Sequence, residues 1–217
     1  MSDQSESPKS PPASVAAAPL PLAPLPLPEI RQQQLRESRL FKVEQLDLRF
    51  SNGEERRYER VLGSTVGAVL IVALRADGKV LLIREYACGT HSYEVGLPKG
   101  RLEPGESVLH GANRELREET GFAARQLQEI TSLTLAPGYM VHRTHVVLAR
   151  DLYPSPLPGD EPEPIEVIPW PLDDLLALAM RDDCSEGRCL AALYLVRDHL
   201  KHIDQRETTD ASNQPAA

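Results

Sequence analysis

Hydrophobic and polar positions change rhythm several times along this chain, and each change marks an element. "KVEQLDLRF" (42–50) alternates apolar and polar residues, "SNG" (51–53) carries turn chemistry, and "EERRYERVL" (54–62) resumes an extended pattern. A period of two on either side of a glycine turn predicts a β-hairpin. "VGAVLIVAL" (66–74) and "KVLLIREY" (79–86) are instead almost continuously apolar and flank Asp77-Gly78. Such runs belong to strands covered on both faces, so they are expected side by side at the centre of a sheet. From Ser107 to Thr120 the period lengthens: Val108, Leu109, Ala112 and Leu116 fall on one helical face, and Gly121 supplies the stop. Strands are expected again at "LQEITSLTL" (127–135), "RTHVVLARDL" (143–152) and "VIPW" (167–170). Helices are expected at "LDDLLALAMRD" (172–182) and "RCLAALYLVRDHLKHI" (188–203). Strands, helix, strands, then helices, with no internal repeat, predict an α/β fold in which helices pack on a mixed sheet.

Composition adds the limits. A chain of 217 residues suits one domain with appendages. Residues 1–30 hold eight of the nineteen prolines, and "PLPLAPLPLP" suits a polyproline II rod in a solvated tail. Residues 31–62 then carry the hairpin, 63–205 the main domain, and 206–217 a polar tail. The net charge of -8 argues against sequence-independent binding to nucleic acid, so any phosphate chemistry calls for a cation. Cys88, Cys184 and Cys189 have no zinc-like spacing and suit a reducing cytoplasm. The proline-broken N-terminus lacks a signal-peptide pattern, and no segment has the length and apolarity of a membrane span.

The chemistry is concentrated in "RELREETGF" (114–122). On a helix, Glu115, Glu118 and Glu119 converge on one side, where like charges cost roughly 0.2–0.5 kcal/mol per pair. A hard cation such as Mg²⁺ or Mn²⁺ relieves that repulsion and brings phosphate oxygens with it. A solvated, salt-bridged helix face is the simpler alternative for a charge run alone. Just upstream, "LPKGRLEPGES" (97–107) sets a glycine-bearing loop before the helix, where backbone groups approach a ligand closely.

Gly100, Glu106, Arg114, Glu115, Leu116, Glu118, Glu119, Gly121 and Phe122 occupy every defined position of a 23-residue motif that resembles the box of the Nudix hydrolases. The resemblance implies an α/β/α sandwich and metal-dependent hydrolysis of nucleoside diphosphates linked to another group. Carried over, Glu115, Glu118 and Glu119 would ligate Mg²⁺ or Mn²⁺ with a backbone carbonyl of Lys99 or Gly100, while Glu106 and Arg114 would brace loop against helix. Residues 38–203, including "LLIREYACGTHSYEVG" and "DLYPSPLPGDEPEPIEVIPWPL", are similar to the ADP-compounds hydrolase branch, close to the ADP-ribose pyrophosphatases. That branch cleaves ADP-ribose, diadenosine triphosphate and NADH, releasing AMP, and its members dimerise through their N-terminal strands.

A base on a mobile loop before a late strand is implied as well. Glu161, Glu163 and Glu166 all qualify, and Glu163 matches best. Arg84 at a strand end is a phosphate clamp or a surface ion pair; Lys99, Arg101 and Glu94 are further substrate-binding candidates, with Tyr93 beside Glu94. Ala87 stands where a second arginine is common in ADP-ribose pyrophosphatases, which shifts weight towards ADP compounds in general. His142 and His145 suit ordinary strand positions better than a metal pair. A catalytically silent nucleotide- or RNA-binding module is the alternative, although such modules lose box carboxylates and none is lost here. A scaffold recruited through the Pro-Leu tail is a third reading.

Overall fold

The computed structural model of the protein describes residues 29–37, 41–63 and 66–212, so the Pro-Leu stretch lies outside the described residues. Along the chain these residues form β1 (Glu29–Glu37), β2 (Lys42–Arg49), β3 (Glu55–Leu62), β4 (Ala68–Leu74), β5 (Lys79–Ala87), β6 (Ser92–Gly96), β7 (Lys99–Arg101), α1 (Val108–Thr120), β8 (Phe122–Thr134), β9 (Met140–Val141), β10 (Arg143–Pro154), β11 (Glu166–Pro171), α2 (Leu175–Ala179) and α3 (Gly187–Ser212).

The continuous apolar runs lie where their composition puts them. The main sheet has the order β11-β5-β4-β10-β8, with β6 added to β5 and β7 to β4. It is mixed: β10 runs parallel to β4 and antiparallel to β8. Successive residues of β4 face opposite sides, so Leu70 and Val72 pack with Leu175, Leu178, Leu193 and Val196 of α2 and α3. Val69, Ile71 and Ala73 pack with Ala112 and Leu116 of α1. With both faces covered, neither set of side chains can be polar, and the period-two signal vanishes from the sequence. The result is the expected α/β/α sandwich.

Helix α1 is closed at both ends by its own sequence. The Ser107 hydroxyl accepts from the His110 amide, and Gly121 takes the left-handed conformation at φ +78° while its amide donates to the Arg117 carbonyl. β8 starts at once with Phe122, five residues earlier than its apolar alternation suggests.

Four further features depart from the sequence reading. β1 adds to the hairpin as an antiparallel neighbour of β2, and it reaches back to Glu29 in the stretch read as tail. Its pairing with β2 runs through the backbone ladder, with Gln33 reaching Glu44 across it, so "EIRQQQLRE" needs no apolar face and gives no periodic signal. α2 is only five residues long where the sequence predicts a helix over 172–182, and Leu176 within it and Met180 beside it stand exposed. α3 continues to Ser212, beyond the expected polar boundary at 205, because no glycine or proline interrupts it before Pro215. Leu109, expected on the buried face of α1, is exposed.

Beside this sandwich, β1, β2 and β3 form a second sheet, joined by β9 running parallel to β3. Its one buried charge, Glu44, accepts from Arg60 at 2.5 Å and from Gln33. No helix among the described residues is long and apolar enough to cross a membrane.

Candidate active site

The loop before α1 is pinned to the middle of the sheet. β7 pairs with β4 through Leu70–Lys99, Val69–Gly100 and Ala68–Arg101. This brings Gly100 directly under α1, where any Cβ would overlap the Glu115 carboxyl group. A larger residue would fit only by pushing that carboxyl out of place, which is why a glycine suits this position.

A salt-bridge brace then locks the loop to the helix. Arg114 donates from Nε and Nη2 to the two oxygens of Glu106, both at 3.0 Å, and from Nη2 to the Arg101 carbonyl at 3.0 Å. Glu106 also accepts from the Glu103 amide and meets His110 Nδ1. Arg114 together with these donors holds the Glu106 carboxyl down at about 2. The remaining nitrogen of the guanidinium, Nη1, reaches the metal-site candidates: it donates to Glu115 Oε1 at 2.8 Å and Glu118 Oε2 at 2.9 Å. Arg114 is therefore more than the brace expected from the motif.

Glu115, Glu118 and Glu119 line one cleft, with side-chain exposures of 12% and 22% for the first two and 9% for Glu119 as a residue, but among the described residues the acidic trio whose oxygens converge is Glu119 with Glu85 and Glu161. Glu119 Oε2 accepts from the Lys99 amide at 2.8 Å. Burial pushes the Glu119 carboxyl up to about 8, against the opposing charge of Lys99. Burial also raises Glu115, in spite of Arg114. At about 8 the Glu119 carboxyl holds a proton at neutral pH unless a cation displaces it. Desolvated oxygen donors of this kind suit a hard divalent ion.

These residues line one wall of a cleft of about 840 Å³. The opposite wall is the strap Gly159–Ile165, whose other side lines a second cleft of about 420 Å³ with Arg84, Tyr86, Tyr93 and Glu166. The three loop glutamates have separate neighbours. Glu161, together with Glu85 and Glu119, offers carboxylate oxygens within 4.8 Å of one another. Glu163 instead accepts from the Tyr93 hydroxyl at 2.5 Å. Glu166 lies 3.4 Å from Arg84 Nε, its register partner across β11 and β5.

Lys99, Gly100, Arg101 and Glu163 thus line the main cleft with the box glutamates, while Arg84 belongs to the second. Glu94 lines neither. Its carboxylate accepts from the Ser185 hydroxyl at 3.0 Å and from Ser92 at 3.0 Å, which lowers its pKa and ties β6 to the segment before α3. Sequence reasoning missed Glu85, which pairs with Lys99 and joins Glu119 and Glu161. Its signal was an acid directly after Arg84 at the end of an apolar run. His142 and His145 stand apart from this site, meeting Thr144 and Glu129 respectively.

Residues 64–188 match the family model described as NUDIX domain, and residues 28–60 match that of the NudE-type Nudix hydrolase N-terminal domain. Over 164 residues the chain is 50% identical to the ADP compounds hydrolase NudE of Escherichia coli (strain K12), spanning 76% of this chain and 88% of the relative. It is 32% identical over 149 residues to an ADP-ribose pyrophosphatase of Bacillus subtilis (strain 168), spanning 68% and 80%. A crystal structure of an ADP compounds hydrolase superposes with a TM-score of 0.77 at 47% identity, covering 83% of this chain and 97% of that one. With the motif complete from Gly100 to Phe122 and the family model matched across 64–188, the chain belongs to the Nudix hydrolase family.

Proposed function

We propose that this enzyme hydrolyses the pyrophosphate bond of ADP-linked compounds, among them ADP-ribose, diadenosine triphosphate and NADH, to AMP and a phosphorylated product. The observation that carries the reading is the set of desolvated box glutamates lining a cleft large enough for a nucleotide. The named activities of the two curated relatives point to the ADP moiety.

Glu115, Glu118 and Glu119, with a backbone carbonyl of Lys99 or Gly100, would hold Mg²⁺ or Mn²⁺. Bound there, the ion supplies charge neutralisation and Lewis acidity for a diphosphate. The chain's own residues do the rest. Lys99 and Arg101 line the cleft as cations for phosphate oxygens, and Arg84 offers a planar guanidinium to the far end of the substrate. For the loop carboxylate that takes a proton from the attacking water, the neighbourhood of Glu119 favours Glu161 over Glu163, the residue expected from sequence.

The exposed N-terminal sheet, with Ile30, Leu35 and Tyr58 uncovered, supports a homodimer formed through these strands, and free Cys88, Cys184 and Cys189 suit the cytoplasm. Light scattering reports the dimer directly: a monomeric mass at micromolar concentration contradicts it. The activity is tested by incubating the purified protein with each of the three compounds plus Mg²⁺ or Mn²⁺ and measuring AMP. Release from at least one is expected, a kcat/KM panel then ranks them, and no AMP from any of them refutes the reading.

A further inference from the structure

The strap is held by a single side-chain anchor. Upstream, the Leu157 amide donates to the Arg117 carbonyl and the Ser155 amide to the Gly121 carbonyl; downstream, β11 begins at Glu166. Between them, among the described residues, the one hydrogen bond to the rest of the molecule runs from the Tyr93 hydroxyl to Glu163 Oε1 at 2.5 Å. Tyr93 is itself fixed: it sits opposite Tyr86 in the β5–β6 register, edge-on to that ring at 6.0 Å, and the Arg84 guanidinium lies 5.5 Å over its face.

The sequence of the strap makes this anchor consequential. In "EPEPI" (161–165) the proline rings fix φ at 162 and 164 and keep both preceding glutamates out of the helical region, and the chain bends at Pro162 and Glu163. With φ locked on both sides of Glu163, this bend has few free torsions, and a constraint at Glu163 carries two positions back to Glu161. Glu161 is the strap residue that meets Glu119 and Glu85.

We infer that Tyr93 and Glu163 form a latch that positions the strap, so that Glu163 serves as an anchor and Glu161 faces the box glutamates. The inference rests on the hydrolytic reading of the main cleft. Tyr93 acts through the strap and is a positioning residue.

Three substitutions separate an anchor from a base. Glu163→Gln keeps an acceptor for the Tyr93 hydroxyl, so kcat should stay within about threefold of wild type. Glu163→Ala and Tyr93→Phe each remove the latch and should lower kcat by about five- to tenfold, with the double variant no worse than either single one. Glu161→Gln should cost at least about a hundredfold, the scale of a lost proton-transfer group. A hundredfold loss in Glu163→Gln beside near-normal Glu161→Gln overturns the assignment, as does full additivity of Tyr93→Phe and Glu163→Ala. Hydrogen exchange of the Gly159, Asp160 and Glu161 amides tests the latch without turnover. It should quicken at least about threefold in Tyr93→Phe, and unchanged exchange refutes the latch. If wild type hydrolyses no ADP compound, the functional reading fails, and the exchange experiment still decides the latch.

Discussion

In the main cleft each box carboxylate is tied to a group that the fold fixes, whereas in the second cleft the charged groups meet one another at an open surface. Glu106, Glu115 and Glu118 share one guanidinium, and Glu119 takes an amide from a strand paired to the centre of the sheet. Arg84, Tyr86 and Tyr93 are exposed, and they line a cleft with a strap that, among the described residues, hydrogen-bonds the body at one point. Under the proposed function the difference corresponds to two tasks. Holding concentrated negative charge for a cation requires desolvation and rigid donors. Admitting a varied non-ADP group tolerates an exposed wall that can adjust.

The largest effect should come from Glu119→Gln. The amide retains an acceptor for the Lys99 backbone but not the charge, so kcat should fall by about a thousandfold or more while the melting temperature does not drop. Near-normal turnover would dissolve the distinction between the clefts. Gly100→Ala should follow. Its methyl group would overlap the Glu115 carboxyl and displace it, costing about a hundredfold in kcat.

Arg114→Ala strips three glutamates of their partner and should destabilise the protein by about 3 kcal/mol, measured by denaturant unfolding. It should also change the acid limb. Glu106 lies near 2 in the fold against an ordinary 4.5, so its contribution is complete above about pH 4.5 and fades as pH falls towards 2. Without Arg114 that part of the decline should shrink; an identical acid profile would mean that the brace is not what depresses Glu106. The smallest effect belongs to Glu94→Gln, which keeps the contact to Ser185 outside both clefts. Its kcat/KM should remain within about twofold of wild type, and a tenfold loss would return Glu94 to the substrate site.

The same contrast governs how much could be read in advance. Box residues are legible because a helix converts sequence spacing into spatial convergence, and Gly100 and Glu106 lie at fixed offsets on the loop that enters it. The doubly covered strands are legible because burial on both faces leaves only apolar residues. The second cleft is assembled from β5, β6, the strap and β11, so its contacts span separations such as the seventy residues from Tyr93 to Glu163, and no local pattern encodes them. Choosing Glu163 from its place in the chain could not reveal that its carboxylate turns to Tyr93. β1 went unread for a related reason, since an edge strand can pair through its backbone with any soluble sequence.

The central claim is that the box glutamates act through a divalent cation in pyrophosphate hydrolysis. AMP release from ADP-ribose should therefore stop when wild-type enzyme is stripped with a chelator, and return on titration with Mg²⁺ or Mn²⁺ in parallel with cation binding that Glu119→Gln has lost. Hydrolysis that survives complete chelation, or a cation that binds the variant as tightly as wild type, would contradict it.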